Sequence, residues 1–180
     1  ILINTSRGEV VDNKSLKTAL QNKMIKAASL DVWENEPDID TELMELLFTA
    51  TPHIAGYSLD GKANGTWMSV QAIGRKFNLP CKDWKVTEVP NPAQPVEFCI
   101  DLNGKNIDQV LDEAILYTYN IFTDDRRFRE NPTEFELQRA DYPIRREFPA
   151  FTVRFTNIDK FRENRDVLTS KIKQFGFVCV

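Results

Sequence analysis

The 180-residue chain predicts an α/β fold in which a parallel sheet is followed by a smaller second α/β unit. Three observations carry this. Strand-like and helix-like segments alternate from Ile1 to Thr51 with short connections, which is the pattern of a parallel sheet. Arg7, Asp31 and His53 each follow a strand-like segment by a few positions, where the ligands of such sheets sit. Four of the nine prolines then crowd between Pro80 and Pro95, after which the alternation begins again.

Taken in order, Ile1 to Asn4 is an apolar strand that ends in Asn4-Thr5-Ser6-Arg7-Gly8. Asp12 or Asn13 caps a helix with Leu16 and Leu20 on one face. Ala27 to Val32 forms a second strand and runs into a loop whose Pro37 ends regular structure. Asp40 opens a short helix carrying Leu43, Leu46 and Leu47, and Thr49 to Thr51 makes a third strand. From Ser58 to Phe77 the spacing of Ala63, Trp67, Val70, Ile73 and Phe77 gives a helix interrupted by Gly61 and Gly65, with an apolar face left exposed. The prolines from residue 80 to 95 mark a semi-rigid linker and a domain boundary.

Beyond the linker, Val96 to Leu102 alternates, Asn103-Gly104 turns the chain, and a helix runs from Ile107 to Phe122. Phe151 to Phe155 alternates again, a helix follows around Arg162 to Gln174, and a strand at Phe177 to Val180 completes the unit. Phe122, Phe128, Phe135, Phe148 and Phe151 lie in a charged stretch and serve either a protomer's own core or a twofold interface. The run Asp124 to Arg129 alternates in sign and reads as surface ion pairs.

With 42% hydrophobic and 28% charged residues, the chain has no apolar run near the roughly 20 residues that a membrane helix requires. A formal charge of −4 disfavours nonspecific nucleic-acid binding. It leaves an anionic substrate open, because that ligand senses the local field of one arginine. Cys81, Cys99 and Cys179 are odd in number and lack paired ligand spacing, so neither a disulfide framework nor a metal site is expected. A reduced cytoplasm is the expected setting, and no signal peptide is visible.

The chemistry lies in three blocks: Asn4 to Gly8, Asp31 to Pro37 and Thr51 to Gly56. Together they supply an arginine, a glutamate and the single histidine. Oxidising a 2-hydroxy acid requires a base on the hydroxyl, because the oxo acid forms only if that proton leaves. His53 is the candidate base, and Glu36 beside it would fix its tautomer and favour the charged imidazole. The substrate carboxylate needs a planar grip, which the two parallel hydrogen bonds of the Arg7 guanidinium provide and a lysine would not. Singly, a loop cation, a turn carboxylate and a lone histidine are ordinary features. In this order, each at a strand end, they make a site.

These blocks closely resemble the C-terminal half of the NAD-binding domain of D-isomer-specific 2-hydroxyacid dehydrogenases. The resemblance implies that Arg7 binds the substrate carboxylate, that Glu36 partners the histidine and that His53 exchanges the proton. It also implies NAD as cofactor, with Asp31 accepting from the nicotinamide carboxamide, Gly56 letting backbone approach the cofactor, and Thr5 and Ser6 beside it. Asp31 has an alternative role, capping the loop that follows. The stretch Gly56 to Thr66 is similar to the branch of this family that oxidises 4-phospho-D-erythronate in vitamin B6 synthesis, and implies Tyr57 as a further substrate contact. Lys62 reads as a solvated helix lysine. Tyr117 to Arg127 and Phe175 to Cys179 are similar to that branch's dimerisation domain and imply a homodimer.

The expected class is therefore the C-terminal half of a Rossmann-type NAD-binding domain with its return helix (1–79), a linker (80–95), and a small α/β dimerisation domain (96–180). The chain starts inside a strand and shows no glycine-rich pyrophosphate turn, so it reads as a C-terminal fragment that is inactive alone. Two other readings stand beside this one. The first is a 3-phosphoglycerate-type dehydrogenase whose tail is a regulatory domain, and the second is a non-catalytic dimerisation module.

Overall fold

The computed structural model describes residues 1–158, 161 and 165–180. In chain order the elements are β1 (Leu2–Asn4), α1 (Asn13–Gln21), β2 (Ala28–Leu30), α2 (Thr41–Leu46), β3 (Thr49–Ala50) and α3 (Leu59–Phe77). There follow β4 (Glu97–Asp101), α4 (Ile107–Thr118), α5 (Ile121–Glu130), α6 (Phe135–Ala140), β5 (Thr152–Thr156), α7 (Arg165–Gln174) and β6 (Val178–Cys179). They form two compact units interleaved in sequence, one from residues 1–56 and 120–142, the other from 57–119 and 143–180.

The first unit is a parallel sheet in the order β1-β2-β3, with Leu2 opposite Ala28 and Ser29 opposite Thr49. Its helices start where carboxylates satisfy the free amides of a first turn. Asp12 accepts from Ser15 N at 2.6 Å, and Asp40 from Leu43 N at 3.0 Å. Leu16, Leu30, Trp33, Leu43, Met44 and Leu47 form the core. Of the three leucines read into this helix, Leu46 is 39% exposed. The buried stripe runs through residues 43, 44 and 47, which puts Leu46 at its edge.

The single helix expected from Ile107 to Phe122 is two helices. α4 ends at Thr118, and Asn120 caps α5 by accepting from Phe122 N at 3.1 Å. α5 and α6 then belong to the first unit. Phe128 and Phe135 are fully buried in its core, whereas Phe122 is exposed. The Asp124 to Arg129 run is more than a set of surface ion pairs. Asp125 accepts from Ala50 N at 2.7 Å and from Arg129 Nε at 3.0 Å. Arg129 donates to Met44 O at 2.7 Å and Leu47 O at 3.1 Å, two carbonyls at the end of α2.

The second unit holds a parallel sheet in the order β4-β5-β6, with Glu97 to Asp101 in register with Thr152 to Thr156. Asn106 and Gln109 form a reciprocal cap that starts α4. Ile100, Val110, Ala114, Phe151, Val153, Leu168 and Ile172 fill the core. The expected start of the last helix at Arg162 lies outside the described residues.

α3 runs unbroken through Gly61 and Gly65. Ser58 caps it by accepting from Gly61 N at 3.1 Å, and Asn78 closes it in the left-handed region. Two helical glycines cost about 1 kcal/mol each and do not break the hydrogen-bond ladder. Of its apolar positions Ile73 and Phe77 are exposed, at 54% and 67%, whereas Ala63, Trp67 and Val70 are partly buried.

The proline-rich stretch is strapped to α3. A Cβ on Gly74 would lie 2.7 Å from the Lys82 backbone, and Gln71 donates to Trp84 O at 3.0 Å. Farther along, Arg146 forks onto both oxygens of Asp60 at 2.9 and 3.0 Å. The same guanidinium donates to Val89 O at 3.0 Å and Pro90 O at 3.2 Å. No helix among the described residues is long and apolar enough to cross a membrane.

Burial of Asp60 disfavours its charge, but the Arg146 fork and the Glu147 amide outweigh that and hold its pKa below the ordinary 3.8. A depressed carboxylate contributes stability that is complete above the ordinary aspartate range and is lost as pH falls through the lower folded value. Asp60→Asn is therefore expected to lower the melting temperature at neutral pH and to flatten its decline below about pH 4. Calorimetry across that range checks this, and an unchanged acid limb would remove the pair as the cause.

Candidate active site

The three chemical blocks lie at the carboxyl ends of β1, β2 and β3. After β1, the buried Asn4 holds the loop from both sides, donating to Arg7 O at 2.8 Å and accepting from Ser6 N at 3.1 Å. Thr5, Ser6 and Arg7 are exposed, and Arg7 Nη1 donates to Ser6 O at 2.7 Å. Gly8 is buried against the loop after β2, where a Cβ would stand 2.0 Å from Trp33 O and 2.7 Å from Glu34 N. Only glycine lets the arginine loop come this close.

In the loop after β2, Asp31 is 4% exposed. One of its oxygens accepts from Thr51 Oγ1 at 2.7 Å and Ile54 N at 2.8 Å, the other from Ala55 N at 3.0 Å. Its backbone carbonyl accepts from His53 N at 2.7 Å. His53 has φ of 57°, a left-handed conformation that persists in a non-glycine residue only where its surroundings fix it. The Asp31 contacts are those surroundings. The carboxylate caps the loop after β3 rather than the loop that follows it in sequence, and three of its roughly four acceptor positions are used.

Glu36 and His53 meet directly, with Glu36 Oε2 2.7 Å from His53 Nδ1. The other Glu36 oxygen accepts from Trp33 N at 2.9 Å, and the Trp33 indole N–H donates to Thr51 O at 3.0 Å. A carboxylate only accepts, so in the neutral imidazole Nδ1 carries the proton and Nε2 presents its lone pair, on a side chain that is 27% exposed. The arrangement is a base oriented by a carboxylate, and it can take a proton from a ligand hydroxyl.

Gly56 is exposed, and a Cβ there would meet nothing within 4 Å. The chain's own packing does not demand glycine at that point, and the open space admits a ligand against the backbone. Tyr57 opens the second unit, where the Lys62 ammonium stands 4.0 Å over its ring. Asn4, Trp33 and Thr51 support the site without having been singled out as functional in the sequence. Their signal was position, since each lies at or just beyond a strand end.

Comparison with known proteins agrees with these features. Residues 1–55 match the family described as D-isomer specific 2-hydroxyacid dehydrogenase, NAD binding domain, and residues 93–167 match a family described only as a domain of unknown function. An erythronate-4-phosphate dehydrogenase of Bacteroides thetaiotaomicron is 43% identical over 153 residues, 85% of this chain and 41% of that protein. One from Porphyromonas gingivalis is 43% identical over 85% of this chain and 40% of its own length. One from Chromohalobacter salexigens is 36% identical over 98% of this chain and 46% of its own length. The chain thus spans less than half the length of the curated relatives it matches.

The β1-β2-β3 array is a Rossmann-type fragment, and NAD is the cofactor of the domain it matches. The residues present fit that group on the side they cover. Thr5, Ser6 and Gly56 form an accessible rim at the strand ends, and Asp31 retains acceptor capacity for one more donor.

Gly8→Ala is expected to destabilise the first unit by about 2–3 kcal/mol, because its methyl group would overlap the Trp33 carbonyl rather than a yielding side chain. Urea unfolding measures this. A loss under half that size would show that the two loops separate freely.

Proposed function

We propose that these residues supply the carboxylate-binding and proton-transfer groups of an NAD-dependent dehydrogenase that converts 4-phospho-D-erythronate to 3-hydroxy-2-oxo-4-phosphooxybutanoate. This oxidation belongs to pyridoxal 5'-phosphate synthesis. The observation that carries the reading is the 2.7 Å contact between Glu36 and His53 at the carboxyl end of a parallel sheet. The names of the relatives support the choice of substrate.

Arg7 grips the substrate carboxylate through the parallel donors of its guanidinium, setting the plane of the adjacent carbon. His53 Nε2 removes the hydroxyl proton. Glu36 stabilises the imidazolium that results and keeps the ring from turning. When bound, NAD supplies the acceptor for the electron pair leaving the substrate carbon. Asp31, Thr5, Ser6 and Gly56 line the cofactor side, and Tyr57 touches the substrate. The enzyme works in the cytoplasm as a homodimer.

The direct test is NADH formation by the polypeptide of its relatives' full length, offered 4-phospho-D-erythronate and 3-phospho-D-glycerate side by side. Preference for the erythronate is expected, and preference for the glycerate would overturn the substrate assignment. In that protein, His53→Gln should lower kcat by about 10²-fold or more while NADH affinity measured by fluorescence stays the same. Activity within a few-fold of the parent would remove His53 as the base. Arg7→Lys should lower kcat/KM by about tenfold or more through the lost fork, and an unchanged value would sink that role.

A further inference from the structure

Residues 120–142 lie within the span matched by the domain of unknown function, yet they belong to the unit that carries Glu36 and His53. Two of their side chains reach the support of that pair. Phe128, fully buried, meets Trp33 edge to face with ring centroids 5.9 Å apart, and Phe135 backs it at 5.7 Å. Trp33 in turn touches both loops, since its backbone N–H holds Glu36 Oε1 and its indole N–H holds Thr51 O, two residues before His53.

Asp125 reaches the same place by another route. β3 is only two residues long and pairs with β2 alone, so its outer side has no strand partner among the described residues. The Asp125 carboxylate takes the Ala50 N–H at 2.7 Å, where a neighbouring strand would otherwise accept it, and Arg129 anchors that carboxylate to the end of α2. Phe128 and Asp125 thus fix, respectively, the loop after β2 and the exit of β3. Those are the two segments whose separation sets the Glu36 to His53 contact.

We propose that residues 120–142 act as a positioning element for the dehydrogenase site, with Phe128 working through Trp33 and Asp125 through Ala50. This assigns a role within the dehydrogenase site to part of a region matched only by a domain of unknown function, and it rests on the catalytic reading given above. A base and its orienting carboxylate carried on separate loops lose rate when either shifts by a fraction of an ångström.

The test compares Phe128→Leu and Asp125→Ala with Phe151→Leu, a lesion of the same kind in the core of the other unit. All are made in the full-length protein and measured where each is folded. Hydrogen exchange of the Trp33 indole proton, followed by NMR, reports the support directly and does not depend on any reaction. kcat, KM and NADH affinity report its consequence. The expected result is faster indole exchange and a kcat about tenfold lower or more in Phe128→Leu and Asp125→Ala, with NADH affinity retained, and neither change in Phe151→Leu. The proposal is overturned if Trp33 exchange is the same in Phe128→Leu and Phe151→Leu, or if kcat survives in the folded variants. Should Phe128→Leu fail to fold, Asp125→Ala decides by the same criteria. A parent unable to oxidise either hydroxy acid would instead defeat the catalytic reading, and the exchange measurement would still judge the support.

Discussion

The Asp31 carboxylate is the constraint on which the site depends. It is buried, and a buried charge is tolerated only where donors replace the lost water. Thr51, Ile54 and Ala55 supply them, and the Asp31 carbonyl receives the His53 amide. The loop after β3 therefore has little freedom to move without stripping that charge of its partners. His53 is held in a left-handed backbone conformation by this arrangement, which aims its ring at Glu36. One side chain on β2's loop thus dictates the geometry of another loop twenty-odd residues away.

Around that constraint the support is layered. Glu36 divides its two oxygens between His53 and the Trp33 amide, so the carboxylate that orients the base is itself oriented. Trp33 spans the loops after β2 and β3, and Gly8 lets the arginine loop lie against the Trp33 backbone. Asn4 fixes the other end of the arginine loop. The exposed groups, Thr5, Ser6, Arg7 and Gly56, sit on a frame whose own polar groups are largely paired. A ligand can therefore engage them without the frame reorganising.

Much of this was legible because it is local. Asp12, Asp40 and Ser58 announce helices by capping amides three residues on, and the strand ends carry the reactive residues in the order a parallel sheet requires. What escaped the sequence depends on distance. The Asp125 carboxylate meets an amide 75 positions earlier, and Arg146 meets Asp60 across 86. Neither link leaves a periodic trace. A run of alternating charge therefore read as surface decoration, and a proline-rich stretch read as a linker without the straps that hold it. The break between α4 and α5 was hidden for a different reason, since the apolar spacing continues across Asn120 while α4 stops at Thr118 and Asn120 caps a new helix.

The interleaving of the two units has a consequence for how the protein is made. The β1-β2-β3 sheet leaves the ribosome well before α5 and α6, so the core around Trp33 must wait for Phe128 and Phe135. At about 5–20 residues per second, the ninety or so residues between β3 and the end of α6 take roughly 5–20 s to emerge. Throughout that interval a nascent apolar surface lacks its cover, and the unit that begins first cannot close until residues 57–119 of the other have been made. Synthesis rate and chaperone occupancy on the nascent chain are thereby written into the topology, as a demand that a chain with contiguous domains would not impose.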